Sequence, residues 1–191
     1  FFDFGYRLFT DNLNFSSSIY LNNLIDLVAE IPGTFEDRSA LIKTNVGKAT
    51  LYGFEYSFNF NIIEKVNVYN NLSYVRGLDK QNDKNLPQIP PLNGTLGIEY
   101  NLFNWFTADF SINAFNKQNE IADGEISTPG YAIFNFRVIL KNLTLGNFKA
   151  IFSAGIENIL NKEYRNHLST NRGFIVSEPG RNFYIKTNIE F

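Results

Sequence analysis

The sequence predicts an all-β fold, a transmembrane antiparallel β-barrel to which this chain contributes about nine strands. Three observations support this prediction. The last segment, residues 181–191, alternates apolar with polar side chains, which gives a strand one apolar and one polar wall. Aromatic residues make up 16% of the chain, with 20 Phe and 10 Tyr, a bias typical of strands. Short connections alternate with long polar ones, as in outer-membrane barrels.

The composition excludes several other classes of protein. No run of about 18 apolar residues is present, so a membrane-spanning helix is excluded, whereas barrel strands need apolar residues only at alternate positions. The 17 Lys and Arg are outnumbered by 19 Asp and Glu, so no nucleic-acid partner is expected. Cys is absent, which excludes disulfide and thiol chemistry. Met is absent too, which predicts a processed chain or a fragment.

The first three predicted strands show a clear alternation of apolar and polar side chains. Residues 2–10 lead through a tight turn into a second strand over residues 13–28, whose alternation slips near Asn22-Asn23, where a bulge is expected. Residues 30–42 contain Pro32-Gly33 and are predicted to form a long loop. The third strand covers residues 52–60, opposite small and polar side chains. Its predicted lipid-facing row is Tyr52, Phe54, Tyr56, Phe58 and Phe60.

The next three predicted strands show the same alternation of apolar and polar side chains. Residues 66–76 set Val66 and Val68 opposite Asn and Ser side chains, and a charged loop is predicted over residues 77–90. The fifth strand, 91–102, places Leu96 and Ile98 on its apolar side, and a tight turn leads into the sixth strand, 105–116. A further long loop is predicted over residues 117–129.

The last three strands are predicted over residues 130–140, 148–160 and 181–191. A turn near residues 142–147 separates the first two, and a long loop over 161–178 precedes the terminal strand. The lipid-facing residues predicted here are Phe134, Phe136, Phe183, Ile185 and Ile189.

The strand count indicates a larger barrel than this chain can build. Bacterial single-chain barrels have even numbers of strands, and a nine-stranded sheet would leave an open edge in lipid. The chain, residues 1–191, is therefore predicted to be the C-terminal part of a barrel.

Aromatic residues gather at the short-turn ends, where a girdle is expected: Phe9, Phe60, Phe103, Trp105, Phe148 and Phe191.

Four segments, in the expected order, resemble the barrel of TonB-dependent outer-membrane receptors. They are N-V-G-K-A-T-L-Y-G-F-E (45–55), L-P-Q-I-P-P-L-N (86–93), G-I-E-N-I-L-N-K-E-Y (155–164), and P-G-R-N-F (179–183) with a terminal Phe191. The resemblance implies a 22-stranded barrel in the outer membrane, with an N-terminal plug domain and the TonB complex as energy source. The plug, the TonB-contacting box and the earlier strands are absent from these residues.

The same resemblance implies further partners. They include the lipid bilayer with its lipopolysaccharide, and the barrel-assembly machinery, which would read a terminal signal that includes Phe191. They also include a small-molecule or metal-complex substrate such as a siderophore. No cofactor is expected. Binding would use the extracellular loops and the upper barrel wall, for which the candidates are Tyr164, Arg165, His167 and Arg172.

Catalysis and metal binding have little support in the sequence. One His and no Cys cannot make a zinc site alone, and the Ser169 nearby lies in no G-x-S-x-G motif. Apart from a ligand contact, the simplest interpretation of His167 is a solvated loop residue. Three hypotheses therefore stay open: part of an active importer, a structural or adhesive barrel that binds a partner through its loops, and a barrel hydrolase.

Overall fold

One antiparallel sheet dominates the computed structural model, which describes residues 1–145, 148–173 and 175–190. Its strands are β1 (Phe2–Phe9), β2 (Leu13–Phe35), β3 (Arg38–Ile63), β4 (Val66–Asp79), β5 (Lys84–Asn85), β6 (Asn93–Phe103), β7 (Phe106–Phe115), β8 (Tyr131–Leu145), β9 (Phe148–Glu157) and β10 (Asn182–Glu190). The long strands pair in chain order, and the short β5 pairs only with β4. The predicted fold class is confirmed, as a part of a barrel wall that does not close on itself, with β1 and β10 at its two ends.

The register sorts the side chains of the sheet into an apolar face and a polar face. Directly opposed residues form one continuous row on the apolar face: Leu13, Phe60, Val68, Ile98, Phe110, Phe136, Ile156 and Phe183. The matching row on the polar face is Asn67, Glu99, Asp109, Arg137, Gly155 and Tyr184. Many apolar-face side chains are exposed, and Ile185 reaches 82%. A sheet with an exposed apolar face needs an apolar surrounding to be stable.

The predicted loop over residues 30–42 is wrong, because β2 and β3 continue as a paired hairpin as far as Phe35 and Arg38. The third strand therefore begins at Arg38 and not at residue 52. Glu36 and Asp37 form the turn with φ angles of 47° and 59°, the two positive values that a type I′ hairpin requires. Pro32 is compatible with this strand because β1 pairs β2 only as far as Leu21, which leaves that edge free.

The bulge in β2 lies further along the chain than predicted. Asn22 and Asn23 stay in regular register with β3, and the irregularity falls between Ile25 and Leu27. The residue between them, Asp26, has a φ of 57°, a left-handed conformation that Asp tolerates better than most residues. The loss of alternation was therefore visible in the sequence, but its position was not.

Two more predicted connections contain regular structure. In the segment 77–90, β4 continues to Asp79 and pairs there with β5. The segment 161–178 contains a helix that was not predicted, α1 (His167–Gly173). Asn166 caps it, since its Oδ1 accepts hydrogen bonds from the backbone N–H groups of Leu168 and Ser169 at 3.0 and 3.2 Å. Within the described residues, no helix is long and apolar enough to span a membrane.

Around the turn predicted at residues 142–147, β8 continues to Leu145, beyond the predicted end at residue 140. Residues 146–147 lie outside the described part of the chain. Phe9, Phe60, Phe103 and Trp105 are exposed at the ends of strands that adjoin short turns, and the rings of the last two stack at 5.3 Å. Of the other two predicted girdle residues, the Phe148 side chain and the whole of Phe191 lie outside the described residues.

Candidate functional site

The long connections all lie at one end of the sheet, because neighbouring strands are antiparallel. They are named here L1 (residues 25–48, the outer part of the β2–β3 hairpin), L2 (80–92), L3 (116–130) and L4 (158–181). Buried polar side chains concentrate in L3 and L4, where a solvated loop would expose them. These are Gln118, Glu125, Thr128, Asn158, His167, Thr170 and Asn171. The candidate site therefore consists of the polar face and this loop cluster.

The polar face carries hydrogen bonds and an ion pair that join side chains of neighbouring strands. Tyr69 on β4 donates its hydroxyl to Asp109 on β7 at 3.0 Å, and Arg137 on β8 forms an ion pair with the same carboxylate. Asn67 also donates to Glu99 at 3.2 Å. Asp109 is only 4% exposed, and a buried charge is stable only when it is paired; Tyr69 and Arg137 supply the partners. These contacts fix the relative positions of side chains from four strands.

Three glycines on the polar face lie directly opposite a tyrosine on the neighbouring strand. The pairs are Tyr20 with Gly53, Tyr69 with Gly97, and Tyr184 with Gly155. A Cβ atom added to any of these glycines would lie 2.2–2.8 Å from the tyrosine ring or hydroxyl. The ring therefore occupies the space above the glycine. These pairs are not predictable from the sequence alone, because only the register identifies the residue opposite a glycine.

An aromatic stack crosses the polar face near the loop end. Phe115 and Tyr131 stack with ring centroids 4.7 Å apart, and Tyr131 meets Tyr164 of L4 at 4.5 Å. Asn166 donates to the Tyr131 hydroxyl at 3.3 Å. Burial raises the pKa of the Tyr164 hydroxyl, and the nearby Glu178 raises it further. Tyr164, a predicted ligand contact, is thus the end of a stack that includes two residues that were not predicted.

Ion pairs connect L3 with β4 and with L2. Arg76, at the end of β4, pairs with Glu120 at 2.7 Å, and Lys84 pairs with Asp123. The hydrogen bond from Arg76 holds the pKa of the Glu120 carboxyl below its usual range, and the bond to Asp123 raises the pKa of Lys84. These pairs are partly or largely exposed, so each stabilises the loops only weakly.

His167 is buried in the contact between L3 and L4, so its interpretation as a solvated loop residue is wrong. The residue as a whole is 2% exposed. Nδ1 lies 3.2 Å from both Thr128 Oγ1 and Asn171 Nδ2, and Nε2 lies 3.9 Å from Glu125 Oε2. The helix turns His167 inward together with Thr170 and Asn171, which share one face at a spacing of three and four residues. A sequence signal for this helix existed in the cap, Asn166.

The other predicted candidates lie around this contact. Arg172 donates to Gln88 Oε1 of L2 through Nε at 3.1 Å and through a terminal nitrogen at 2.7 Å. Arg165 is exposed. The structure thus gives His167 and Arg172 contacts between loops, leaves Arg165 open to solvent, and places Tyr164 against strand β8.

The pair that a barrel hydrolase would need does not form between His167 and Ser169. His167 and Ser169 are two positions apart on α1, so their side chains do not face each other. No group of three or more His, Cys, Asp and Glu side chains comes together within the described ranges in a way that could hold a metal ion.

Comparisons with known proteins agree with this architecture. A family model described as "TonB dependent receptor-like, beta-barrel" matches residues 2–159. The copper transporter OprC is 26% identical with a TM-score of 0.82, over 97% of this chain and 31% of that one. The siderophore receptor PirA from Acinetobacter baumannii (19% identity, TM-score 0.70) matches over 97% of this chain and 30% of that one. The ferric citrate transporter FecA (18%, TM-score 0.71) matches over 98% of this chain and 30% of that one. The chain spans about three tenths of the length of these solved structures.

Proposed function

Because the chain belongs to the TonB-dependent receptor-like β-barrel family, we propose that it is part of an active importer for a scarce solute such as a siderophore or another metal complex. The family is one of transporters, and its barrels lie in the outer membrane of Gram-negative bacteria, which is therefore where this chain is located. The observation that supports the proposal most strongly is the family match over residues 2–159.

The chain is proposed to be the C-terminal part of a larger barrel. The sheet is open, with β1 and β10 each paired along one side only, and an unpaired edge cannot stand in lipid. By family analogy the remaining wall would complete 22 strands and enclose a plug domain, through which the TonB complex would supply energy. The polar face, with its hydrogen bonds and ion pair between neighbouring strands, is proposed to line the lumen.

The apolar face is proposed to contact lipid, and near the long loops lipopolysaccharide. Its support is the exposed row of large apolar side chains, in which Phe183 is 68% and Ile189 is 55% exposed. Of the predicted lipid contacts on β3, Tyr52, Phe54 and Phe60 are exposed, whereas Tyr56 and Phe58 are only partly so.

Ligand contact is proposed at the loop end of the polar face. Tyr164 is half-buried at the end of the aromatic stack, and Arg165 beside it is exposed. An aromatic ring beside a guanidinium suits a ligand that carries both flat and anionic groups. His167 and Arg172 are proposed to act indirectly, by holding L2, L3 and L4 together.

Uptake measurements test this proposal. Cells that lack the full-length protein should lose uptake of one labelled compound from a panel of ferric siderophores, ferric citrate and copper complexes, and the full-length gene should restore it. An uncoupler that collapses the proton gradient is the control for energised import. Unchanged uptake of every compound, together with lost adhesion, would instead favour a structural or adhesive barrel.

Phe191 is proposed to belong to a terminal signal read by the barrel-assembly machinery. Deleting Phe191 should reduce the amount of folded barrel in the outer membrane, measured by heat-modifiable gel mobility of membrane fractions. Replacing Phe191 with Tyr keeps an aromatic terminus and is the matched control. Normal assembly of the deletion variant would contradict the proposal.

A further inference from the structure

We propose that His167 and the loops around it form a proton-operated latch: when the imidazole of His167 takes up a second ring proton, loop L4 separates from loop L3. The latch itself does not require import. Only its consequence, a change in how the loops hold a ligand, rests on the proposed function.

Three contacts close L2, L3 and L4 into a ring. Gln88 N of L2 donates to Glu125 Oε1 of L3 at 2.7 Å. Glu125 Oε2 lies 3.9 Å from His167 Nε2 of L4. Arg172, on the same helix as His167, returns to Gln88 Oε1 at 2.7 Å. Because each loop is held by the other two, loss of the L3–L4 contact leaves L4 tied to L2 through an exposed Arg–Gln pair and to β8 through Tyr131.

Asn171 makes the L3–L4 contact specific. Its Oδ1 accepts a hydrogen bond from Ile126 N at 2.6 Å, and its Nδ2 donates to Ile126 O at 3.1 Å. The side chain therefore pairs with the L3 backbone as a neighbouring strand would. The same Nδ2 lies 3.2 Å from His167 Nδ1, so any change in the ring reaches this pairing directly.

The contacts of the ring show what a second proton would face. Asn171 Nδ2 can only donate, and its two hydrogens have three acceptors within reach: Ile126 O at 3.1 Å, His167 O at 3.0 Å and His167 Nδ1 at 3.2 Å. Thr128 Oγ1, also 3.2 Å from Nδ1, can donate or accept, so either neutral tautomer fits these contacts. With the second proton in place, the ring carries a hydrogen on each nitrogen. The hydrogen on Nδ1 would lie beside the N–H group of Asn171, and the hydrogen on Nε2 would have no hydrogen-bond partner in the described structure.

Two opposing effects act on that second proton. Burial disfavours the charged ring, whereas the carboxylate of Glu125 attracts it. Glu125 is held by backbone N–H groups of Gln88 and Ala122, at 2.7 and 3.0 Å, so it is not free to close the 3.9 Å gap. The other side chains on the ring, Thr128 and Asn171, are neutral. Burial prevails, and the pKa of His167 is lowered from its ordinary 6.5.

The sign of the pH effect follows from this lowered pKa. The released ring binds a proton more tightly than the latched ring, so protons favour the open form. The closed latch has its full stability above pH 6.5 and loses it as the pH falls below that value. The ratio of open to closed loops should rise by up to about tenfold per pH unit, until the pH reaches the pKa of the latched ring.

Spin-label distance measurements on the full-length protein in lipid nanodiscs test the latch. Labels at Asn119→Cys in L3 and Val176→Cys in L4 replace exposed side chains. The population at longer separations should grow severalfold and reversibly between about pH 7.5 and about pH 5.5. The His167→Gln variant, which does not titrate in this range, is the matched control and should show no change. An unchanged wild-type distribution, or equal growth in the variant, would overturn the proposal.

A second measurement covers the case in which the His167→Gln variant does not assemble. Nitrogen NMR of labelled histidine in the wild-type protein should show a neutral ring at neutral pH and a pKa below 6.5. A pKa above 6.5 would refute the latch. Opening of the loops without uptake of any compound would support the latch and refute the importer. Uptake without opening would support the importer and refute the latch.

Discussion

The Tyr69–Gly97 pair gives a quantitative test of the polar face. Gly97 of β6 lies directly opposite Tyr69 of β4, and a Cβ at this position would lie 2.2 Å from the ring. The ring would have to move by about 1.2 Å to reach ordinary contact at 3.4 Å. It is not free to move, because its hydroxyl donates to the buried carboxylate of Asp109 at 3.0 Å.

The loss of stability expected for Gly97→Ala follows from this close contact and from the hydrogen bond that holds the ring. A strained or lost hydrogen bond to a carboxylate costs about 1.5–3 kcal/mol, and overpacking about 1–3 kcal/mol. The free energy of unfolding should therefore fall by about 2.5–6 kcal/mol. Gly5→Ala is the matched control, since that glycine also lies on the polar face but an added Cβ would meet only Ser17 O, at 3.8 Å.

Guanidinium unfolding of the full-length protein in detergent micelles, followed by the loss of heat-modifiable gel mobility, measures the difference. A double-mutant cycle with Tyr69→Ala isolates the clash, because Gly97→Ala should cost little once the ring is gone. If Gly97→Ala is no more destabilising than Gly5→Ala, or if the loss of stability persists without the ring, the tyrosine does not occupy the space above Gly97 as described.

Three further predictions concern the loops. Asn166→Ala removes the cap of α1 and should favour its local unfolding by about 0.5–2 kcal/mol, seen as faster amide exchange at residues 168–170; unchanged exchange would show that tertiary contacts alone hold the helix. Glu120→Gln breaks the pair with Arg76 and should lower stability slightly at low salt and by nothing measurable near ~1 M salt, where an equal loss would exclude an electrostatic cause. Asp37→Gly relieves a φ of 59° in the I′ turn and should slow amide exchange at the tip of L1 severalfold, whereas faster exchange would mean that the Asp side chain stabilises the turn.

The sheet was predictable because the sequence itself shows the alternation of apolar and polar residues that strands require. Alternation at every second residue located all nine long strands, and the apolar sides of β3, β8 and β10 are those that the register displays. The errors fell where local signals conflict with pairing. Pro32-Gly33 indicated a loop, yet a partner strand at the right distance kept the hairpin extended. A seven-residue helix within L4 was too short to show a periodic pattern.

The sequence by itself determined the class of the protein: a two-faced β-sheet whose apolar side needs lipid, with long polar connections at one end. It determined this because side-chain alternation depends only on backbone geometry. Only the tertiary structure decided which residues meet across strands and loops. The tyrosines over glycines, the burial of His167 and the ring of loops depend on register and loop packing, which join residues far apart in the chain. Gln88 and Arg172, for example, meet across 84 positions of sequence.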